Sequence, residues 1–250
     1  MLFRSVSCGL KTVGIRMPSN KIAAGLIRAA GVPVAAPSAN TSGRPSPTDF
    51  AHVFEDMNGR VDVIIDGGSS EVGVESTVLD LCREYPAVLR PGAVTREDVA
   101  ALTGRCDEPD WTVPLKKDEK PRSPGMKYRH YAPKAAMTMF SGPEEQVRAL
   151  ISRKISEEKL SGKRVGILAT DEQICYYMNA DIVCPLGPEN EPEIHAARLF
   201  GALRKFDAEG ADVIFAHALE KKGIDDAVMN RMFRAAGGAE TAVRPDGTAD

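Results

Sequence analysis

The amino-acid sequence predicts an α/β protein in which a linker joins two domains. Short apolar runs typical of strands alternate with longer segments that carry apolar side chains at helical spacing. This alternation favours parallel sheets covered by helices. A proline-rich, basic stretch divides the pattern into two parts. The length of 250 residues, with 43% hydrophobic and 27% charged residues, suits one or two globular domains.

The first part of the chain contains local signals for helix ends. Asn20 is a good N-cap for a first helix, and Gly31 is a good stop. Thr95, with Asp98 three residues later, has the spacing of a capping box. The predicted helices span 21–30, 48 or 49 to 57, and 95–102, and the predicted strands span 12–16, 32–36, 61–66, 75–81 and 87–90.

The linker is recognised by its composition. Five prolines between residues 105 and 133 interrupt any helix, and seven Lys or Arg residues face two acidic ones between Lys116 and Lys134. We therefore expect an extended segment with a local positive charge.

The second part alternates regularly between strands and helices, which predicts a three-layer parallel α/β sheet. Its expected strands are 137–140, 164–169, 181–184 and 212–216, and its expected helices are 143–158, 171–179, 192–208 and 224–236. The residues after about Glu240 are interpreted as a frayed tail.

Charge and cysteine usage narrow the function classes. A net charge of -3 and a pI of about 5.9 give no global basic footprint for nucleic acid, although a local one stays open. The five cysteines form no C-x-x-C pair, which favours reduced thiols and makes structural zinc unexpected. The N-terminus does not resemble a signal peptide, and no apolar run has transmembrane length. We expect a cytoplasmic protein without a membrane partner.

The loop from Pro37 to Pro47 is a candidate ligand site. It lies between a predicted strand and a predicted helix, where free N–H groups and the helix dipole favour a phosphate or nucleotide. Small hydroxyl side chains let a ligand approach the backbone, and its prolines reduce the entropy lost on binding.

Several motifs in a fixed order carry a family resemblance. They are Arg16-Met17-Pro18, the loop 37–47, Gly73-Val74-Glu75-Ser76-Thr77-Val78, Arg90-Pro91-Gly92, the run from Ser123 to Pro133, and Val228-Met229-Asn230-Arg231. Together they resemble the two-domain form of threonylcarbamoyl-AMP synthase, in which a YrdC-like domain precedes a smaller Rossmann-like domain. The resemblance implies a truncated YrdC-like domain over 1–108, a linker over 109–136 that covers the active site, a Rossmann-like domain over 137–240, and a tail over 241–250.

The resemblance implies a nucleotidyltransferase. Members of this family make L-threonylcarbamoyladenylate and pyrophosphate from L-threonine, bicarbonate and ATP, usually with Mg²⁺ on the phosphates. The product supplies the tRNA-modification machinery that forms t6A at position 37. Relatives begin with a further segment of the first domain, so this sequence is interpreted as a fragment, as a chain with a misassigned start, or as a chain that has lost its activity. We therefore expect exposed apolar surface and an inactive stand-alone chain.

The resemblance also assigns site residues by position. The residues expected to contact ATP are Thr12, Ser38, Asn40, Ser46, Arg90, His130 and Tyr131. The residues expected to contact L-threonine are Arg16, Ala36 and Ser76. No side chain is assigned as acid, base, nucleophile or metal ligand.

Several assignments have a simpler structural alternative. Arg16 and Arg90 could form ordinary ion pairs, Ser46 could cap a turn, and Ser76 could satisfy backbone groups. His52, His195 and His217 are interpreted as packing or surface residues. The basic linker also leaves open a non-catalytic nucleotide- or RNA-binding module, and the second domain could bind a ligand of its own.

Overall fold

The computed structural model describes residues 7, 11–108, 110–113 and 131–249. Packing divides the chain into one unit over residues 1–38 and another over residues 39–250. The two units are described separately below.

The first unit contains helix α1 (Lys21–Ala30), as the sequence predicts. The Asn20 side chain accepts hydrogen bonds from the backbone N–H groups of Ile22 and Ala23, and Gly31 ends the helix with a φ of 64°. The strands predicted at 12–16 and 32–36 are wrong, because both segments are irregular. An alternating sequence forms a strand only where a partner supplies the ladder hydrogen bonds.

The second unit begins with short elements. They are α2 (Phe50–Met57), β1 (Val78–Asp80), β2 (Ala87–Arg90) and α3 (Arg96–Thr103). Strands β1 and β2 form an antiparallel pair, and Thr95 and Asp98 form the predicted capping box. The strand predicted at 61–66 is wrong, because that segment is irregular. The strand predicted at 75–81 forms only over residues 78–80, where the backbone pairs with β2.

A five-stranded parallel sheet dominates the rest of the second unit. Its strands are β3 (Ala136–Ser141), β4 (Val165–Ala169), β5 (Ile182–Pro185), β6 (Val213–His217) and β7 (Glu240–Ala242), in the order β5-β4-β6-β3-β7. The connecting helices are α4 (Glu144–Leu160), α5 (Asp171–Ile174) with a 3₁₀ turn over Cys175–Tyr177, α6 (Pro192–Ala208) and α7 (Ile224–Ala235).

The end of the chain corrects one expectation. Residues 240–242 form β7 and pair in parallel with β3, and Val243 behind them is buried. The frayed tail expected after Glu240 is therefore wrong. Its pairing partner lies about a hundred residues earlier in the chain, which a local pattern does not reveal.

Two apolar clusters cover the two faces of this sheet. Side chains of α6 and α7 pack on one face, and α4 packs on the other. The ring of Phe206 lies where a side chain on Gly166 would be, with 2.6 Å between its ring carbons and an ideal Cβ. The α/β class is confirmed. The expected truncation of the first domain is not borne out.

No described helix is long and apolar enough to cross a lipid bilayer.

Candidate functional site

The candidate site is centred on Glu75, which lies just before β1 on a backbone held against α6. Gly73 has a φ of 82°, and an ideal Cβ there would be 2.3 Å from the carbonyl oxygen of Ala196. Only glycine allows this approach without displacing the helix backbone. The segment from Gly73 to Ser76 is thereby placed next to the second half of the chain.

Glu75 is bound from two sides. Its Oε2 accepts a hydrogen bond of 2.9 Å from Nε of Arg231 on α7, and its Oε1 accepts one from the Ser46 hydroxyl. The Arg231 guanidinium also donates to the carbonyl oxygens of Glu75 and Pro91, at 3.1 and 2.6 Å. Arg231 is completely buried, so its charge depends on these acceptors.

Arg90 lies at the end of β2 and faces the same segment. Its Nε and Nη2 donate to the carbonyl oxygen of Ser76, at 3.2 and 2.8 Å. Its side chain also interacts with the Tyr131 hydroxyl. Ser76 itself is exposed, so its hydroxyl is accessible to a ligand.

Tyr131 occupies an unusual backbone conformation. Its φ is 67°, and the next residue, Ala132, donates its backbone N–H to the Gly43 carbonyl oxygen at 3.1 Å. The Tyr131 ring is buried and packs against Phe200 of α6 at 5.3 Å between centroids. Positive φ is costly for a tyrosine, so this packing must stabilise the conformation.

A second arginine from the sheet domain holds the loop that carries Asn40 and Ser46. Arg204 of α6 donates through Nη2 to the Pro45 carbonyl oxygen and to the Asp56 carboxylate, both at 2.7 Å. Asp56 also accepts from the backbone N–H of Thr41 and from Arg44. The Asn40 amide donates to the carbonyl oxygens of Thr41 and Arg44, so it stabilises the loop from within.

The ionisable groups around Glu75 shift one another's pKa values. Burial alone would raise the pKa of Glu75, but Arg231 and the Ser46 hydroxyl outweigh it and hold that pKa below its ordinary value. Burial lowers the pKa of Arg90, and the nearby Arg231 charge adds to this. Burial raises the pKa of Tyr131, which keeps its phenol neutral. Two guanidinium groups thus accompany one carboxylate, which leaves a net positive charge beside Ser76.

Asp56, on helix α2, shows the same balance beside the neighbouring loop. Burial would raise the pKa of its carboxyl group, but the hydrogen bond and charge of Arg204 hold it below its ordinary value. Helix α2 therefore provides a buried, ionised carboxylate that binds both the loop and Arg204 of α6.

The structure brings together four of the predicted site residues. They are Ser46, Ser76, Arg90 and Tyr131, which surround Glu75. Asn40 belongs to the adjoining loop. Thr12, Arg16, Ala36 and Ser38 lie in the unit over residues 1–38, where all four are exposed. His130 lies outside the described residues.

The sequence did not reveal the roles of Arg231, Arg204 and Asp56. One signal for Arg231 was available in the sequence. Asn230 and Arg231 are polar residues that interrupt the apolar spacing of the last helix, which indicates buried side chains with polar partners. The interpretation of His195 as a packing residue fits its surroundings. It is fully buried, with Nδ1 2.9 Å from Asp225 and Nε2 2.8 Å from the Pro188 carbonyl oxygen.

A separate cavity of about 250 Å³ lies away from the predicted residues, and its lining contains Trp111, Glu108 and Lys221. The Trp111 indole N–H donates to Asp226, and Lys221 lies 4.7 Å above the ring centre. Burial raises the pKa of Glu108 to about 7. Of the nine predicted ATP or threonine residues that the structure describes, none lines it.

Comparison with known proteins gives two matching family models. Residues 94–237 match the model described as "Threonylcarbamoyl-AMP synthase, C-terminal domain", and residues 2–92 match one described as "Telomere recombination". The first model alone covers more than half of the chain.

Curated relatives and solved structures agree with these models. The chain is 45% identical over 233 residues to a protein of Bacillus subtilis named threonylcarbamoyl-AMP synthase, covering 93% of this chain and 65% of the relative. It is 44% identical to a protein of that name from Pyrococcus abyssi, covering 94% of this chain and 66% of the relative. The chain thus spans just under two thirds of the length of these relatives.

The crystal structure of P. abyssi Sua5 complexed with L-threonine superposes with a TM-score of 0.87 at 42% identity, covering 96% of this chain and 68% of that one. From its family models, its relatives and this structural match, the chain belongs to the threonylcarbamoyl-AMP synthase family.

Proposed function

We propose that this protein takes part in making L-threonylcarbamoyladenylate and pyrophosphate from L-threonine, bicarbonate and ATP. One observation carries the proposal, namely the net positive cluster of Arg90, Arg231 and Glu75 beside the exposed Ser76. Both the carboxylate of an amino acid and the phosphates of a nucleotide are anions that such a cluster attracts. The names of the relatives and the threonine-bound P. abyssi structure support it further.

The proposed chemistry needs positioning more than acid–base catalysis. The threonine amine first combines with bicarbonate to give a carbamate and water. A carbamate oxygen then attacks the α-phosphorus of ATP, and pyrophosphate leaves. Bringing the two substrates together and neutralising their charges lowers such a barrier substantially.

The site assignments stay proposals. Thr12, Ser38, Asn40, Ser46, Arg90, His130 and Tyr131 are proposed to contact ATP, and Arg16, Ala36 and Ser76 are proposed to contact L-threonine. The two serines Ser46 and Ser76 differ in exposure, which supports different roles for them. Ser76 offers an accessible hydroxyl beside the positive cluster, whereas the Ser46 side chain is buried and donates to Glu75. Ser46 would therefore act by holding Glu75 rather than by presenting a free hydroxyl.

Mg²⁺ enters the proposal only with the nucleotide. Within the described residues, no group of three or more His, Cys, Asp or Glu side chains is arranged to hold a metal ion. Mg²⁺ would thus bind through the ATP phosphates, and the guanidinium of Arg90 would add its own positive charge there. We further propose a cytoplasmic location, delivery of the product to the machinery that forms t6A in tRNA, and the domain boundaries 1–108, 109–136 and 137–240.

Pyrophosphate release by the purified chain tests the proposal. We expect release that requires L-threonine, bicarbonate and ATP together, and that falls at least tenfold in Arg90→Lys because a lysine does not reproduce the two hydrogen bonds to Ser76. The P. abyssi relative is the positive control, and L-alanine in place of L-threonine is the negative one.

Two other results would change the conclusion. Release that does not depend on L-threonine would contradict the proposed substrate. Nucleotide or tRNA binding without any release would favour the non-catalytic module instead.

A further inference from the structure

We propose that Arg231 of α7 is a positioning residue that holds the substrate-binding segments of the first half in register. This inference rests on the proposed function, because it concerns the shape of the proposed threonine and ATP site. Its basis is a contact between residues separated by more than 150 positions.

The contacts of Arg231 coincide with the neighbours of two predicted site residues. Its guanidinium binds the side chain and carbonyl oxygen of Glu75, which precedes Ser76, and the carbonyl oxygen of Pro91, which follows Arg90. One rigid planar group therefore connects both segments on which the proposed ligand contacts lie. We call this set of contacts the Arg231 clamp.

The two clamped segments are also in direct contact with each other. Arg90 donates to the Ser76 carbonyl oxygen, and an ideal Cβ on Gly92 would lie 2.3 Å from the backbone nitrogen of Thr77. A small shift of one segment would therefore disturb the other segment, and with it the positions of both the Ser76 hydroxyl and the Arg90 guanidinium. The clamp fixes their relative position before a ligand arrives, which reduces the ordering needed on binding.

Stability alone does not explain a charge at this position. A completely buried arginine loses its hydration, and well-packed apolar side chains often replace a buried ion pair without loss of stability. What an apolar side chain would not supply is directional bonding to two backbone carbonyls and a positive charge beside Glu75. Both properties serve the geometry of an anion site.

Arg234 offers a matched control on the same helix. It is buried like Arg231, and the carbonyl oxygen to which its Nη2 donates belongs to Trp111. Replacing either arginine by lysine removes the same planar group from the same helix. Only the loss at 231 removes the hydrogen bonds to Glu75 and Pro91.

The test compares full-length Arg231→Lys, Arg234→Lys and Glu75→Gln with the parent protein. We expect the Kd for L-threonine, measured by calorimetry in the presence of ATP, to rise about tenfold in Arg231→Lys and Glu75→Gln and by less than about twofold in Arg234→Lys. Amide hydrogen exchange should become faster over residues 73–77 and 90–92 in the first two variants only. Methylguanidinium should partly restore threonine binding to Arg231→Ala.

The outcomes separate this inference from the proposed function. Threonine binding by Arg231→Lys that equals the parent's would overturn the clamp and leave the function standing. A parent protein that binds neither L-threonine nor ATP would overturn the function. In that case the exchange data decide the clamp, since unchanged exchange at 73–77 in Arg231→Lys would refute it.

Discussion

Residues 136–243 bury most of their large apolar side chains, whereas residues 11–81 leave many of theirs exposed. In the former, side chains of α4, α6 and α7 pack against both faces of a parallel sheet. In the latter, Ile15 is 91% exposed, Met17 is 94% exposed and Val63 is 74% exposed. The sheet region is thus held by burial of apolar surface. In the first unit, helix α1 is held by its caps, whereas the segments around Pro45 and Glu75 are held by close backbone contacts and buried arginines.

A truncation in the sheet core should give the largest effect. Phe206→Ala removes a fully buried ring that packs on Gly166, and it should lower the free energy of unfolding by about 3–5 kcal/mol. Urea denaturation followed by circular dichroism measures the change. Ile15→Ala is the control from the exposed region and should change stability by less than about 0.5 kcal/mol. Equal losses in the two variants would remove the contrast between the regions.

The sheet region should also respond to acid through His217. Burial lowers the pKa of His217 to about 4, and the charges of Glu144 and Arg148 shift that pKa in opposite directions. Between pH 6.5 and pH 4, His217 is protonated in the unfolded chain but stays neutral in the folded chain. The free energy of unfolding therefore falls as the pH falls through this window. The loss attributable to this residue is about 3 kcal/mol.

The comparison with His217→Gln isolates this contribution. The variant cannot gain the proton, so its free energy of unfolding should fall less steeply from pH 6.5 to pH 4. Urea denaturation at several pH values gives the difference between the two proteins. A difference that stays constant with pH would show that His217 does not titrate in this way.

A smaller effect is expected where the first half meets α6. Gly73→Ala combines a positive φ with a clash against the Ala196 carbonyl oxygen, so stability should fall by about 2–3 kcal/mol. Gly68 has a similar φ of 76° but open space around its Cβ, so Gly68→Ala should cost about 1 kcal/mol. Thermal melting of the two variants measures the difference, and equal shifts would argue against a close approach at Gly73.

Local signals explain which parts of the fold were predictable. The limits of α1 and the cap of α3 follow from Asn20, Gly31, Thr95 and Asp98, which act within one helical turn. Four strands of the parallel sheet, β3 to β6, were also predicted to within about one residue, because regular alternation with helices supplies each of them with a partner, whereas β7 was missed. The segments 12–16, 32–36 and 61–66 have the same apolar character without such a partner, and no strand forms there.

The candidate site was predictable only in part, for a related reason. Motifs identified Ser46, Ser76, Arg90 and Tyr131, whose positions are marked by neighbouring residues. The partners that hold them, Arg231 and Arg204, lie far away in the sequence and are recognised only once the chain is folded. The charge of a buried arginine in a helix indicates that it has a partner but not which one.

Strand β7 has a practical consequence for how the chain is cut or tagged. Its three residues shield the outer side of β3 by parallel pairing from Met139 to Ser141. A shortened version ending before Glu240 would leave that side of β3 with unpaired backbone groups, through which sheets of separate molecules join. Fusions placed beyond residue 249 keep this pairing, whereas removing residues 240–242 invites aggregation.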